Sequence, residues 1–388
     1  MGGLPTKVGR ITQPRLEASS MQRSIYIRPL GIFTPAPVPE TPVAEEGAGE
    51  LWGGLPLCGG PLAFCALEMA ERTGKGVLRR TIGLGDLFER DWGRNTLAAS
   101  DLLEAIRAPR PRLAGLSMDR PCIMGIVNVT PDSFSDGGSF GSVQAAIDHG
   151  LRLLDEGAGI LDIGGESTRP GSDAVALDEE LRRVMPVLEG LRARTEARIS
   201  VDTRKAEVMR RAAAAGADIL NDVSALTHDP AALETAAETG LPVMLMHAQG
   251  DPKTMNDNPR YSDVVLDVFD FLEARIEACE KAGIPKSRLV VDPGIGFGKH
   301  LHHNLAVLAS MSLYHGLGVP VLLGASRKKL IGQLSNVENP RDRLPGSIAA
   351  ALSSVAQGVQ IVRVHDVGAT RQAVSVWRAA IRGSEKGL

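Results

Sequence analysis

Short aliphatic or β-branched segments alternate with longer amphipathic segments over the last two thirds of the chain. Eight apolar runs occupy residues 122–127, 160–163, 199–201, 219–220, 243–246, 289–291, 319–323 and 361–364. Helical spacing of apolar residues follows each run, at residues 143–156, 177–197, 205–215, 230–239, 264–282, 304–317, 343–357 and 369–381. Eight β-then-α units predict an α/β fold, a (β/α)8 TIM barrel of about 250 residues. A doubly wound open sheet would show fewer units and a glycine fingerprint after its first strand.

The first 117 residues do not continue this rhythm, so we predict an N-terminal extension at 1–117 and the barrel at 118–388. Residues 35–56 are rich in Pro, Gly and Glu, which indicates a linker or an irregular surface. Residues 59–72 have a modest helical pattern, and Ser100 is a candidate N-cap for a short helix over 101–108. The extension contains no catalytic constellation, and we assign it no role.

The composition describes a folded chain that recognises a small partner. Hydrophobic residues make up 43% of it and charged residues 23%, with a formal net charge of −3. The 43 basic residues are balanced by 46 acidic ones, so no global field exists to hold nucleic acid or an anionic membrane. We therefore expect small-molecule substrates, and neither nucleic acid nor a membrane, as partners.

The four cysteines are scattered along the chain, at Cys58, Cys65, Cys122 and Cys279. This spacing fits neither a disulfide framework nor a structural zinc site, and it favours a cytoplasmic location. The basic first thirty residues faintly resemble an organelle transit peptide, but Pro5 and Pro14 would interrupt its helix. An alternative start at Met21 stays open.

Polar residues follow nearly every predicted strand. Barrel enzymes place their active sites on the loops at the carboxyl ends of the strands, so these residues are expected to converge on one mouth. They are Asn128, Asp162, Asp202, Asn221, Asp222, His247, Asp292, Ser326, Arg327, Lys328, Arg363 and His365.

Part of this set predicts a pocket for a flat heterocycle. Asp202, Asp292 and Asn221 supply acceptors for an exocyclic amine and a ring N–H, and Lys328 can donate to the acceptor edge of the ring. The alternative is that either aspartate caps the helix that follows it, as the segment VDTRKAEV invites.

A separate anion site is predicted at the last strand. Arg363 and His365 stand two residues apart, so their side chains point the same way in an extended backbone, and both can donate to phosphate. The alternative is a solvated pair in which Asp366 neutralises the arginine. Asn128 offers the neutral oxygen that suits a Mg²⁺ ion held mainly by substrate phosphates and water.

Two further motifs resemble a phosphate loop and a metal site, but neither fits the required pattern. DPGIGFGK is not a Walker phosphate loop, because the glycine spacing differs and His300 stands where Ser or Thr is required. His300, His302 and His303 lack a nearby Cys or carboxylate at ligand spacing, which favours solvated loop histidines.

Longer blocks of the sequence resemble those of a known enzyme family. IMGIVNVTPDSFSDGG and ILDIGGESTRPGS closely resemble the two signature blocks of the dihydropteroate synthase family. SVDT, LNDV, LMHAQGDPKTM, DPGIGFGK, GASRKKLIG and VRVHDV resemble its other strand-end motifs, in the same order, over residues 121–388. The resemblance implies condensation of 6-hydroxymethyl-7,8-dihydropterin pyrophosphate with para-aminobenzoate, with Mg²⁺, and a homodimer.

The resemblance also implies a role for each matching residue. Those that hold the pterin match Asp202, Asn221, Asp292 and Lys328, and those that hold the pyrophosphate match Asn128, Arg363, His365, Thr168 and Arg169. The aminobenzoate pocket matches Phe134, Pro170, Phe297 and Ser326, while Asp136 resembles the carboxylate that stabilises the reacting pterin cation. Asp162 and Met246 complete the substrate-binding set, and Asp136, Lys328, Arg363 and His365 are the expected catalytic residues.

Two rival functions stay open beside this one. Pterin-dependent methyltransferases share the barrel and a similar pterin pocket, and a non-catalytic accessory paralogue would share the sequence blocks. The combination of both loop blocks with the SRK segment and the Arg363–His365 pair argues against both rivals.

Overall fold

The computed structural model describes residues 23–35, 54–89, 95–129, 139–167, 172–250, 253–255 and 257–383 of the chain. Before the barrel, the described residues form four strands and two helices. They are β1 (Ile25–Phe33), β2 (Leu55–Pro56), β3 (Ala63–Thr73), β4 (Gly76–Gly83), α1 (Leu84–Glu89) and α2 (Thr96–Arg107).

The remaining described residues alternate strands with helices, as the sequence predicts. The strands are β5 (Cys122–Asn128), β6 (Ile160–Gly164), β7 (Arg198–Asp202), β8 (Ile219–Asp222), β9 (Val243–Met246), β10 (Leu289–Asp292), β11 (Leu322–Leu323) and β12 (Ile361–Val364). The helices are α3 (Ser139–Asp155), α4 (Leu177–Arg192), α5 (Ala206–Ala214), α6 (Ala232–Thr239), α7 (Val264–Lys281), α8 (Leu301–Leu308), α9 (Lys329–Ser335), α10 (Leu344–Val355) and α11 (Val367–Arg382).

The eight strands β5 to β12 form one parallel sheet in the order β10-β9-β8-β7-β6-β5-β12-β11. The sheet closes between β10 and β11, where Val291 pairs with Val321 and its N–H donates to the carbonyl of Pro320 at 3.0 Å. The (β/α)8 barrel is therefore confirmed. None of the described helices is both long enough and apolar enough to span a membrane.

One predicted barrel helix is divided. Residues 304–317 contain the end of α8 and a separate 3₁₀ segment, Met311–Leu317. A Cβ added at Gly316 would lie 3.0 Å from Leu102 of α2 and 3.4 Å from Phe269 of α7. The 3₁₀ segment is thus packed closely between the extension and the barrel.

The extension contains a four-stranded antiparallel sheet with β3 at its centre, paired with β1 on one side and with β2 and β4 on the other. The helical prediction for 59–72 is therefore wrong. Its Ala, Leu, Glu and Met residues favour a helix intrinsically, but pairing on both edges and burial of Phe64 and Leu67 outweigh that preference. The predicted helix at 101–108 is confirmed as α2, although it begins at Thr96, so Ser100 is inside the helix and is not its cap. Most of the predicted irregular segment 35–56 lies outside the described residues.

The extension sheet packs on the barrel and shares its core. The rings of Tyr26 in β1 and Phe269 in α7 meet edge to face, with centroids 5.5 Å apart. Both side chains belong to one buried apolar cluster that also contains Phe64, Leu67 and Tyr314. Burial of large apolar side chains is the main favourable term in folding, so the extension and this side of the barrel stabilise each other.

The segment that links the extension to the barrel closes the barrel floor. Leu113 and Met118 are buried against an inner layer contributed by the strands, formed by Met124, Ile160, Ile219, Met244, Val290, Leu322 and Ile361. The floor at the amino-terminal ends of the strands is thus apolar, and the polar side chains of the site lie at the opposite end.

We predict that a fragment beginning at Ser117 is markedly less stable than the full chain. It uncovers Phe269, Leu313 and Tyr314, which are at most 1% exposed, and burial of each such side chain contributes about 1.5–3 kcal/mol. We expect the melting temperature, followed by circular dichroism, to fall by at least about 5 °C. A fragment beginning at Arg23, which keeps every contact described above, is the control; equal melting temperatures for the two fragments would contradict the shared core.

Candidate active site

Side chains from four strands meet at the mouth of the barrel around Asp162 of β6. The Arg363 Nε donates to Asp162 Oδ2 at 2.6 Å, and the Asn221 amide lies 3.3 Å from the same oxygen. The Arg363 Nη2 also donates to Asp202 Oδ2 at 3.1 Å. We call these four residues, Asp162, Asp202, Asn221 and Arg363, the Asp162 cluster.

Strand register explains why these residues meet. Asp202 at the end of β7 pairs with Asn221 on β8 and with Gly164 on β6. A Cβ added at Gly164 would lie 3.8 Å from Asp202 Oδ2 and 3.9 Å from Asn128 Oδ1. The absence of a side chain at Gly164 therefore leaves space between Asp202 and Asn128 at the mouth.

In the Asp162 cluster, two carboxylates accept hydrogen bonds from one guanidinium. Burial raises the pKa of Asp202, and the neighbouring Asp162 raises it further, whereas Arg363 opposes both effects. Burial acts against the charge of Arg363, but Asp162 and Asp202 outweigh it and hold the Arg363 pKa above its ordinary value. Arg363 therefore stays charged and offsets part of the negative charge of Asp162 and Asp202.

A second group lies beside the cluster, formed by Asp292, Lys328 and Phe297. Asp292 Oδ1 accepts the N–H of Gly294 at 2.7 Å, and the Lys328 Nζ lies 4.5 Å from the centre of the Phe297 ring, in the range of a cation–π contact. A Cβ added at Gly324 would lie 3.6 Å from Asp292 Oδ2 and 4.0 Å from Arg363. The second group and the Asp162 cluster therefore face the same space.

The charges of the second group are also displaced from their ordinary values. Burial raises the pKa of Asp292, although the nearby Lys328 lowers it. Burial lowers the pKa of Lys328 to about 8, although Asp292 raises it. The Lys328 Nζ also donates to the carbonyl of Ile295, so one of its three protons is committed to the loop after β10.

Two polar residues that follow β12 each contact a residue of the loop after β11. Ser326 Oγ lies 3.0 Å from His365 Nδ1 and 3.2 Å from the His365 backbone nitrogen. Asp366 accepts a hydrogen bond from Arg327 Nε at 3.0 Å. Asp366 therefore neutralises Arg327, and the alternative in which it neutralises Arg363 is wrong.

Helix capping does not explain the two aspartates of the predicted heterocycle pocket. Helix α5 has Lys205 at its N-cap, and the N–H of Ala206 donates to Asp229 at 2.9 Å. Helix α8 begins nine residues beyond Asp292, after the N-cap residue His300. Asp202 and Asp292 both face the mouth and are available to a ligand.

The structure unites most of the predicted site, with one correction. Arg363 donates to Asp202 of the predicted heterocycle pocket and to the neighbouring Asp162, so the pocket and the anion site are not separate. Met246 is buried at the end of β9, 3.3 Å from a Cβ added at Gly294. Phe134, Asp136, Thr168, Arg169 and Pro170 lie outside the described residues.

Comparison with known proteins identifies this arrangement. The model of the family described as pterin binding enzyme matches residues 124–365. The dihydropteroate synthase of Escherichia coli strain K12 is 51% identical over 270 residues, which cover 70% of this chain and 95% of that protein. The chain belongs to the dihydropteroate synthase family.

Solved structures of dihydropteroate synthases agree in fold. The Xanthomonas albilineans dihydropteroate synthase with 4-aminobenzoic acid is 55% identical, with a TM-score of 0.66 over 70% of this chain and 98% of that one. The same enzyme in complex with 7,8-dihydropteroate gives 51% identity and a TM-score of 0.64, with the same coverage. The matched region of the dihydropteroate synthases corresponds to the barrel.

Sequence reasoning missed a buried pair that shapes the loop after β10. The Lys299 Nζ lies 2.8 Å from His247 Nδ1 and donates to the carbonyls of Gly294 at 2.9 Å and Phe297 at 3.1 Å. Burial lowers the pKa of both Lys299 and His247 well below their ordinary values. A lysine within a glycine-rich segment that is not a phosphate loop is the signal that could have indicated this role.

A second missed cluster supports the loop after β6. Glu166 Oε1 accepts the N–H of Val175 at 3.0 Å and a hydrogen bond from Arg204 at 2.9 Å, and Lys205 Nζ lies 3.0 Å from Glu166 Oε2. Lys205 also donates to the buried Glu180 at 2.5 Å. The two ends of this loop are thus joined to the residues that directly follow β7.

We predict that Lys328 makes stability depend on pH above 8. The unfolded chain keeps the lysine proton up to about pH 10.4, whereas the folded chain loses it near pH 8, so the free energy of unfolding gains a rising contribution between these values. In urea unfolding, the parent should gain about 1 kcal/mol relative to Lys328→Met from pH 8 to pH 10. Lys329→Met removes the exposed neighbouring lysine as a control, and an equal trend in both variants would refute this assignment.

Proposed function

We propose that this chain condenses 6-hydroxymethyl-7,8-dihydropterin pyrophosphate with para-aminobenzoate to give 7,8-dihydropteroate and pyrophosphate. The observation that carries this proposal is the convergence of the Asp162 cluster and the group of Asp292, Lys328 and Phe297 on one space. The relatives of this chain are dihydropteroate synthases, which supports the same reaction.

The pterin ring matches the hydrogen-bonding groups at the mouth. Asp202, Asn221 and Asp292 would accept from its exocyclic amine and ring N–H, and Lys328 would donate to its acceptor edge. In our proposal Asp162 mainly positions Arg363 and Asn221, because its oxygens already accept hydrogen bonds from these two side chains. Burial of these groups makes each hydrogen bond to the ring stronger than it would be in water.

In the proposed reaction the bond between the pterin methylene carbon and the pyrophosphate oxygen breaks first. The departing pyrophosphate takes the electron pair, and donors on Arg363 and His365, together with Thr168 and Arg169, would stabilise its charge. The cation left on the pterin methylene is stabilised by the ring and, in our proposal, by Asp136. The amine of para-aminobenzoate then attacks this carbon and loses a proton.

The aminobenzoate would occupy the side of the mouth near Phe297. We propose that Phe134, Pro170, Phe297 and Ser326 shape its pocket, and that Met246 supports the floor below. Phe297 already contacts Lys328, so the amine would be delivered close to the pterin group. Positioning of the two reactants and stabilisation of charge, rather than a strong general base, would supply the rate.

We propose Mg²⁺ as the cofactor, with Asn128 as its ligand from the protein. The Asn128 Oδ1 lies beside the space above Gly164, near Asp202 Oδ2, which is a chemically suitable pair of oxygens for a hard cation. Among the described residues, no three His, Cys, Asp or Glu side chains are arranged to hold a metal. This donor set suits an ion whose other ligands are pyrophosphate and water, and such an ion would neutralise the leaving group.

The methyltransferase alternative is less well supported by the site. A methyl transfer releases no pyrophosphate, yet Arg363 and the His365–Ser326 pair place several donors at the mouth. An accessory paralogue without activity would have no need for a cluster in which Arg363 bridges Asp162 and Asp202.

We also propose a homodimer in the cytoplasm. The support for the location is the scattered spacing of Cys58, Cys65, Cys122 and Cys279, which fits no disulfide framework of a secreted protein. The family resemblance supports the dimer, and sedimentation velocity of the full chain would test it.

The direct test is turnover by the purified full chain. With the pterin pyrophosphate, labelled para-aminobenzoate and Mg²⁺, we expect labelled dihydropteroate and an equal amount of pyrophosphate. Chelation of the metal should abolish turnover, and added Mg²⁺ should restore it. Absence of product from a folded, Mg²⁺-supplied chain would contradict the proposed function.

Two variants should separate the pterin from the pyrophosphate contacts. Asp292→Ala removes a buried acceptor, so calorimetry should show that pterin affinity falls by about 2–5 kcal/mol.

In the parent, pyrophosphate with Mg²⁺ should tighten aminobenzoate binding, and aminobenzoate should tighten pyrophosphate binding by the same factor.

His365→Ala should remove this coupling and leave the affinity for the bare pterin within twofold. Arg363→Ala is unsuitable for this purpose, because it would leave Asp162 and Asp202 without their shared partner. Coupling that survives in His365→Ala would count against the proposed role of His365.

A further inference from the structure

The extension holds α7 through a row of ion pairs. Arg72 at the end of β3 donates to Asp267 at 2.8 Å and to Asp270 at 2.9 Å. Arg79 of β4 pairs with Asp263, and Arg23 pairs with Glu273 at 2.5 Å. The acidic partners recur every three or four residues, so they lie along one face of the helix.

The pairs at the start of α7 differ from the one further along it. Asp263 is the N-cap of α7, and barrel helices begin at the end where the strands finish, so Asp263 and Asp267 lie toward the mouth. Glu273 is ten residues beyond Asp263, about 15 Å further along the helix axis. The extension thus contacts α7 both near the site and well away from it.

Asp267 connects the extension to the loop that precedes α7. One of its oxygens accepts from Arg72, and the other accepts the N–H groups of Ser262 at 2.7 Å and Asp263 at 3.2 Å. Without the guanidinium, Oδ1 of this carboxylate would lose its partner, and only the two backbone N–H groups would orient it. Arg72 therefore helps to define where the loop before α7 ends.

That loop contacts the segment that carries Phe297. The hydroxyl of Tyr261, the residue before Ser262, donates to the carbonyl of Gly298 at 2.7 Å. A second close approach is made at Gly298, where an added Cβ would lie 2.4 Å from the carbonyl oxygen of Gln249. Gln249 is joined to Arg260 by two hydrogen bonds, at 3.0 and 3.1 Å, which link the two ends of the loop.

We infer that Arg72 is a positioning residue for the aminobenzoate side of the site, acting through Asp267 and Tyr261 on the segment that carries Phe297. The inference rests on the proposed function, because it assigns Phe297 to the aminobenzoate pocket. The pterin contacts of Asp202 and Asn221 come from β7 and β8 and are independent of this path. The extension thereby contributes to substrate affinity as well as to stability.

The test compares Arg72→Gln with Arg23→Gln in the full-length chain. Each variant removes one arginine that binds acids on α7, but only Arg72 lies on the path to the site. We expect Arg72→Gln to raise the KM for aminobenzoate about five- to tenfold, with kcat within twofold of the parent. The KM for the pterin pyrophosphate should rise less, because Asp292 and Lys328 adjoin the same segment whereas Asp202 and Asn221 do not. Arg23→Gln should keep all three parameters within twofold.

A double-mutant cycle tests the path itself. Tyr261→Phe should raise the same KM, and the double variant Arg72→Gln/Tyr261→Phe should show no larger effect than the stronger single variant, because both changes break one path. Multiplied effects in the double variant, an unchanged KM in Arg72→Gln, or an equal rise in Arg23→Gln would overturn the inference. If Arg72→Gln does not fold, Arg72→Lys takes its place. Lysine keeps the positive charge but lacks the planar guanidinium that bonds both Asp267 and Asp270.

A second measurement is independent of turnover. Hydrogen exchange followed by mass spectrometry should show faster exchange in peptides covering residues 293–299 in Arg72→Gln but not in Arg23→Gln. If the parent made no dihydropteroate, the proposed function would fail while this measurement would still decide whether Arg72 acts on that segment. Equal exchange in the two variants would refute the path.

Discussion

The site depends on one guanidinium shared by two buried carboxylates. Arg363 reaches Asp162 on β6 and Asp202 on β7 from β12, so a single side chain joins three strands of the closed sheet. Two unpaired carboxylates at this depth would repel each other and take up protons, and a lone guanidinium would be costly to bury. The guanidinium of Arg363 offsets part of this acidic charge, which permits a polar pocket at the mouth of an otherwise apolar barrel.

The parts of the fold that could be predicted from the sequence are those that local sequence determines. The eight barrel strands were predictable because each is a short apolar run followed by a polar residue, a pattern that depends on local sequence. Strand β3 was not predictable, because its residues favour a helix and only pairing with β1 and β4 makes it a strand. Propensity is a weak guide where tertiary contacts decide.

The site shows the same division between local and distant information. The strand-end position of Asp202, Asp292 and Lys328 could be predicted, because the barrel brings such ends together. The link from Arg363 to Asp162 could not, because it joins residues 201 positions apart and depends on side-chain direction across the barrel. The pairing of Lys299 with His247 was hidden for the same reason, since it satisfies carbonyls that become buried only in the folded loop.

The shared core of the extension and the barrel has a consequence for how the chain is made. Tyr26 donates to Asp270, a partner 244 positions later in the chain. At a synthesis rate of about 5–20 residues per second, the apolar face of β1 and β3 would wait about 12–50 seconds for α7 to leave the ribosome. During that time the face lacks its partner helix, so the extension can bury it only late in synthesis, and slower translation before α7 would lengthen the delay.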